Sequence, residues 1–397
     1  MAALPGVEAA RATMLENVAA LPSERVALAQ AVQRILAEPV LSARDQPPFA
    51  VSAMDGYAIR AADAPGILRV IGEAAAGAGF ESACGVGEAV RISTGAAIPD
   101  GADTVVIQED VQRDGDALAV PDAQPGANMR PQGGDFRAGV ALLAAGRRLD
   151  GVALSLAAAA GHAELFVRRR PRIALLCSGD ELVAPGTTPG RWQIFESASI
   201  GIAALVEDWG GTARKLEIEK DDVAAIAGAA EAGLRDCDLL VVIGGASVGD
   251  HDHARPALQQ LGLKLMIEKV GVRPGKPTWF GVTPLGPVLG LPGNPASALV
   301  CAHLFLRPLL EKMLGRAFAV TFARARLMQA LPANGPREHY LRAWLEADAA
   351  GQRTARAFED QDSSLHAIFA AANALIRLPA NAPAQAEGML VDVLPLG

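Results

Sequence analysis

The chain has 397 residues, 51% of them hydrophobic and 20% charged, with a formal net charge of −8. At roughly 100–200 residues per domain this length calls for several domains, and the apolar fraction excludes a disordered chain. An acidic chain with no basic run beyond Arg168-Arg169-Arg170 has no electrostatic basis for non-specific nucleic-acid binding. Four separated cysteines (Cys84, Cys177, Cys237, Cys301) form no zinc-type spacing, so free thiols in a reducing, cytoplasmic setting are expected.

Val7, Ala10, Met14, Val18 and Leu21 recur at helical spacing beside Glu8, Arg11 and Glu16, which predicts an amphipathic helix over residues 1–22, not a signal peptide. A second helix is expected near residues 29–36. Residues 43–137 are rich in Gly, Pro and Asp, with short apolar runs at 90–92 and 104–107, the pattern of a β-rich module. Residues 138–170 return to longer apolar stretches, and with residues 1–42 they are expected to form one discontinuous domain. The run at 152–161 contains Ser155 and is too short to span a bilayer, so no membrane association is expected.

Residues 171–315 alternate apolar strands (172–177, 213–218, 239–243, 263–269, 288–291) with helices (197–209, 223–234, 295–314). This alternation predicts a parallel sheet covered on both faces. Residues 316–397 return to strands at 318–327, 339–345, 353–358 and 389–393, with a helix near 363–372, and read as a small β-barrel or sandwich.

Ligands of parallel sheets bind at the carboxyl ends of the strands. Three such ends carry unusual loops: Ser178-Gly179-Asp180-Glu181, Gly244-Gly245-Ala246-Ser247-Val248-Gly249-Asp250, and Pro292-Gly293-Asn294-Pro295. In the third, Asn294 suits an N-cap and Pro295 the first helical position. Free N–H groups and the helix dipole at such a start favour an anion. Each loop by itself reads equally as a tight turn. Arg273-Pro274-Gly275-Lys276-Pro277 adds two cations in a rigid loop, with Lys269 nearby, which suits phosphate or another oxyanion. Asp180, Glu181, Asp221, Asp222, Asp250 and Asp252 offer hard oxygens for Mg²⁺ beside phosphate, although Asp221 and Asp222 precede a helix and equally suit capping. His251 and His253 have no third soft ligand nearby in sequence, which disfavours a transition-metal site.

Together, PPFAVSAMDGYAIR (47–60), ISTGAAIPDGADTVVIQED (92–110), GANMRPQGGDFRAG (126–139), SGDELV (178–183), GGASVGDHD (244–252), VRPGKPTWFG (272–281) and GLPGNPASA (290–298) resemble the MoeA/gephyrin E-domain family. The resemblance implies a discontinuous N-terminal domain used in dimerisation (1–42 plus 138–170), a β-rich insert (43–137), a molybdopterin-binding α/β domain (171–315) and a C-terminal β-barrel (316–397). It implies an elongated homodimer with a cleft shared between subunits. It also implies Mg²⁺-dependent transfer of molybdate to adenylylated molybdopterin, with release of AMP. A molybdopterin adenylyltransferase would act one step earlier, and apo-molybdoenzymes or their chaperones would receive the product.

By the same resemblance, Asp55, Thr94, Asp135, Glu181, Asp252, Lys269, Arg273 and Lys276 are candidates for catalysis. Ser178, Gly179, Asp180, Gly244, Gly245, Ser247, Gly249, Pro292, Gly293, Asn294 and Ser363 are candidates for holding the cofactor. Glu181, Asp221, Asp222 and Asp252 are candidates for the metal. The chain departs from the family pattern at Glu196-Ser197-Ala198, where Asp-Ser-Asn is usual, at Gly134 and at Ile243. A protein that binds and delivers molybdate or cofactor without catalysis is the alternative.

Overall fold

The computed structural model describes residues 4–244, 253–317 and 320–396. The chain forms two compact units, Arg25–Val167 and Met1–Glu24 with Arg168–Gly397.

The 25–167 unit has separate cores. One joins Ala31, Leu36 and Val40 to Leu143, Leu149, Ala153, Ala157 and Val167, so residues flanking the β-rich segment do pack together. Its helix, Gly151–Ala159, starts where the Asp150 carboxylate accepts the Ala153 N–H at 2.8 Å. The helix expected near 29–36 is only the 3₁₀ turn Leu28–Gln30. The next amides are taken by another segment, since Gln33 and Leu36 donate to the Leu149 and Arg147 carbonyls, and no helical ladder is left to them.

The β-rich segment is a six-stranded sheet in the order Thr104–Ile107, Gly56–Ile59, Glu88–Ile92, Gly66–Ala74, Ala117–Val120, Gln112–Asp114. Gly56–Ile59 is buried throughout. A Cβ on Gly56 would lie 2.1 Å from the Val106 carbonyl oxygen, so the close approach of the strands needs glycine there.

In the other unit the first helix is Val7–Glu16. It buries Val7, Ala10 and Met14 with Ile173, Val206 and Leu309 in the α/β core, not among residues 138–170 as expected. Helical periodicity selects the buried face but does not choose its partner.

The α/β sheet runs Thr212–Lys215, Arg172–Cys177, Leu239–Ile243, Gly286–Leu291, Trp279–Thr283, Lys264–Ile267. The first four strands are parallel. Trp279–Thr283 runs antiparallel to both its neighbours, so the sheet is mixed and not parallel throughout. Trp279–Thr283 was not expected, and it forms a hairpin with Gly286–Leu291. Helices Ala198–Asp208 and Pro295–Cys301 cover one face, and Val223–Asp236 and Ala254–Gln260 the other. The long helix after Asn294 includes a π turn, Ala302–Leu306, before Arg307–Met313. Pro308 has no N–H for the Leu304 carbonyl, and the wider turn accommodates its ring.

In the C-terminal region Glu338–Ala347, Arg353–Ala357, Ala323–Leu327, Leu390–Pro395 and Ala374–Leu378 pair in sequence around a ring, the last closing on the first as a five-stranded barrel. Ala325, Ala343, Ala355 and Ala374 are wholly buried, as a narrow barrel requires. Among the described residues no helix is long and apolar enough to cross a membrane.

Candidate functional site: an oxyanion cleft at the strand ends

Cys177, Ile243 and Leu291 are register partners across three neighbouring parallel strands, so the loops that follow them meet at one sheet edge. There they line a cleft of about 1010 Å³ together with the 269–277 segment and residues 361–363 of the barrel.

The first loop contributes Ser178, Gly179 and Glu181. Ser178 is buried, yet among the described residues its Oγ has no hydrogen-bond partner. An unpaired buried hydroxyl at the edge of a cleft suits a polar ligand. The Glu181 carboxylate folds over Gly179, where a Cβ would lie 2.5 Å from its Oε2. Asp180 accepts the Asp221 N–H at 3.4 Å, and Asp221 lines the cleft. The Asp222 carboxylate accepts the Ala225 N–H at 2.8 Å and caps the following helix, and Asp222 does not line the cleft.

From the second loop Gly244 lines the cleft at φ +87°, a conformation that favours glycine. Gly245, Ser247, Gly249 and Asp252 lie outside the described residues. From the third loop come Pro292, Gly293 and Asn294. A Cβ on Gly293 would stand 3.4 Å from the Gly244 Cα, so the two loops meet glycine against glycine. Asn294 makes no side-chain cap at its helix. Its amide donates to Ser363 Oγ at 3.0 Å, and the helix start keeps N–H groups for an anion.

Lys269, Arg273 and Lys276 all line the same cleft. Val270 N–H donates to the Lys276 carbonyl at 3.1 Å and Thr278 N–H to that of Gly275 at 3.0 Å, which closes the loop that carries them. Three cations line the cleft together with Glu181 and Asp221, a charge distribution that suits a multiply charged anion.

In the 25–167 unit Asp55 and Thr94 meet directly. The Thr94 N–H and O–H both donate to Asp55 Oδ1, at 2.6 and 2.9 Å. These two bonds, the backbone one first, hold the Asp55 carboxyl below its ordinary pKa, with a smaller contribution from Arg91. Asp135 lies on an exposed turn, where its N–H donates to the Gln46 carbonyl at 2.9 Å.

The cleft residues that sequence reasoning missed include Glu196, Arg337, Gln361 and Asp362. Glu196 is buried, and its carboxylate accepts the Ser199 N–H at 2.7 Å and O–H at 2.6 Å. Burial, followed by the charge of Glu196, raises the Cys177 thiol pKa far above its usual range, so Cys177 is an inert part of the floor. The only sequence signal for Glu196 was its departure from the family's Asp.

Three glycine-rich strand ends, a cationic loop and hard carboxylates around one cleft define a protein that binds phosphate and other oxyanions. Comparison with known proteins agrees. The chain matches "MoeA N-terminal region (domain I and II)" over residues 6–161, "Probable molybdopterin binding domain" over 174–312 and "MoeA C-terminal region (domain IV)" over 324–396, and it belongs to the MoeA family. It is 36% identical over 332 residues to a molybdopterin molybdenumtransferase of Nostoc sp., covering 80% of this chain and 76% of that one. It is 28% identical over 390 residues to one of Staphylococcus aureus, covering 96% and 93%. A crystal structure of the molybdopterin biosynthesis MoeA protein from Pyrococcus horikosii aligns over 100% of both chains, with a TM-score of 0.89 and 30% identity.

Proposed function

We propose that the chain is a molybdopterin molybdenumtransferase, transferring molybdate to adenylylated molybdopterin with release of AMP. The observation that carries this reading is the gathering of Lys269, Arg273 and Lys276 with Glu181 and Asp221 around one cleft at three strand ends. A diphosphate and a molybdate in one place bring together several negative charges. The three cations offset that repulsion and stabilise charge on the phosphate as AMP leaves. Binding both substrates together supplies the proximity contribution.

Mg²⁺ fits this site by its donor chemistry. Glu181 and Asp221 present carboxylate oxygens to the cleft, and among the described residues no group of three or more His, Cys, Asp or Glu is arranged to hold a metal ion. Magnesium is commonly held by one or two carboxylates with the rest of its shell from ligand phosphates and water. Bound there, it would supply Lewis-acid stabilisation of the phosphate charge. We further propose a cytoplasmic homodimer that receives its adenylate from a molybdopterin adenylyltransferase and passes cofactor to apo-molybdoenzymes or their chaperones.

Delivery without catalysis is the competing reading, and Ala198 favours it, since it lines the cleft where the family usually has an amide. The test is AMP release from adenylylated molybdopterin, with and without molybdate and Mg²⁺, in wild type and Lys276→Ala. Molybdate-dependent release that falls at least about tenfold in the variant supports transfer. Tight adenylate binding with no AMP release under any condition leaves only delivery.

A further inference from the structure

The loop that carries the cleft's cations is fixed at its ends by backbone bonds. Gly271 N–H donates to the Pro5 carbonyl at 2.8 Å, and Val270 N–H to that of Lys276 at 3.1 Å. Its crown, Arg273-Pro274-Gly275-Lys276, lines the cleft. Beneath the crown are two wholly buried side chains that do not line the cleft, Thr278 and Cys301. Gly275 has φ +114°, and a Cβ on it would stand 2.2 Å from Cys301 Sγ and 3.3 Å from Val272 Cγ1. The loop backbone therefore rests on the sulfur. The Thr278 hydroxyl donates to the same sulfur at 3.2 Å, while the Thr278 N–H donates to the Gly275 carbonyl at 3.0 Å. Cys301 ends the helix Pro295–Cys301, and Ser297, one turn earlier on the same face, lines the cleft. That helix face therefore reaches the cleft at Ser297 and the cationic loop at Cys301.

We infer that Cys301 and Thr278 are positioning residues for oxyanion binding, acting through Gly275 to set the height and spacing of Arg273 and Lys276. The inference rests on the oxyanion reading of the cleft and adds the residues that hold its cationic loop in place. Two like charges on one short loop repel each other, so holding them together before an anion arrives needs support from the fold. A close-packed interior transmits a change of even one methylene to its neighbours. A side chain larger than cysteine at position 301 has to enter the space of the Gly275 backbone, because nothing else separates the two. In a positioned site a displacement of about 1 Å can cost on the order of a hundredfold. Burial pushes the Cys301 thiol pKa up to about 12. The thiol is therefore uncharged near pH 7. It contributes shape and a hydrogen-bond acceptor without a counter-charge that would neutralise the cations above it.

Positioning predicts a loss of anion affinity in protein that is still folded. Inorganic pyrophosphate binding to the full chain would be measured by calorimetry well below the melting temperature, with thermal melts to establish folding. The binding signal lost in Lys276→Ala is the part that belongs to this loop. The expected result is pyrophosphate affinity reduced at least about tenfold by Cys301→Leu, which pushes into the Gly275 backbone. Thr278→Val keeps the volume and removes the hydroxyl, and a loss of about threefold is expected. Cys301→Ser is close in size and still accepts from Thr278, so its affinity should stay within about twofold of wild type. A purely structural role would lower the melting temperature and leave the affinity of the folded protein unchanged. Wild-type affinity in folded Cys301→Leu or in folded Thr278→Val overturns the inference, and so does a loss in Cys301→Ser as large as that in Cys301→Leu. Should Cys301→Leu not fold, Thr278→Val decides. Wild-type protein that binds no pyrophosphate overturns the oxyanion reading of the cleft and this inference together, whereas unchanged variants beside a binding wild type overturn this inference alone.

Discussion

The Asn294 amide donates to Ser363 Oγ across 3.0 Å, which ties the loop at the third strand end to a barrel loop. That barrel loop is itself held from below. Arg342 is buried, its Nη1 donates to the Leu365 carbonyl at 3.1 Å, and its N–H donates to Gln361 Oε1 at 2.9 Å. Gln361 returns a bond to the Arg342 carbonyl at 3.0 Å. The wall of the cleft that carries Asp362 and Ser363 is therefore positioned by the barrel.

Ser363→Ala removes one hydrogen bond at an exposed edge. Such a bond contributes about 0.5–1.5 kcal/mol, so activity is expected to fall about 2–10-fold with little change in melting temperature. Gln361→Ala should act differently, because it strips one partner from the buried Arg342 guanidinium, whose Nε donates to Gln361 Oε1 at 3.3 Å. A stability loss of about 1–3 kcal/mol in urea unfolding is expected alongside reduced activity. Equal stabilities of the two variants would count against the positioning role of Arg342 and Gln361.

Asp55 and Thr94 should behave as one unit. Thr94→Val removes the hydroxyl donor but keeps the backbone N–H that is the larger influence on Asp55. Loss of activity in Asp55→Asn should therefore exceed that in Thr94→Val, and the double variant should lose less than the product of the two. Strict multiplicativity in the kinetics would show that the pair acts independently.

Two buried histidines predict acid lability. His303 and His339 both have pKa values lowered to about 4, mainly by burial, then by Arg307 for His303 and by Arg273, Arg337 and Arg342 for His339. Their unfolded values lie near 6.5. Between those values the unfolded chain binds more protons than the folded one. The stabilisation is present in full above pH 6.5 and is lost as pH falls toward 4, by up to about 1.4 kcal/mol per pH unit for each histidine. Urea midpoints measured from pH 7.5 to 4.5 should fall steeply below pH 6.5, and His303→Gln should flatten the slope. An unchanged slope in that variant would assign the acid sensitivity to other groups.

Gly290→Ala should be among the most disruptive small substitutions in the chain. A Cβ there would lie 1.9 Å from the ring of the fully buried Trp279, its cross-strand partner. Overpacking of this kind costs about 1–3 kcal/mol or more. The double variant with Trp279→Leu should be less destabilised than the sum of the two single changes, as read from urea midpoints.

Local patterns carried much of the fold because they act over a few residues. Strand 239–243 is an unbroken apolar run, as a strand buried on both faces must be, and its predicted limits coincide with Leu239–Ile243. Asp222 and the apolar spacing after it predicted a helix over 223–234, and the observed helix is Val223–Asp236. Motif order carried the family and the cationic loop. The misjudged elements depended on distant partners. Residues 29–36 have helical composition, but their amides go to residues 147 and 149. No strand was expected at Trp279–Thr283, and pairing with Gly286–Leu291 makes it one.

The amino-acid sequence by itself determined the family, the alternation of elements and the three glycine-rich loops, because periodicity, capping and turn chemistry are local. Only the tertiary structure placed Asp221 on the cleft and Asp222 off it, since the two differ by one position yet only Asp222 meets the Ala225 N–H. It alone brought Arg337, Gln361 and Asp362 from the barrel to the strand ends, because strand register and ring closure bring together residues far apart in the chain.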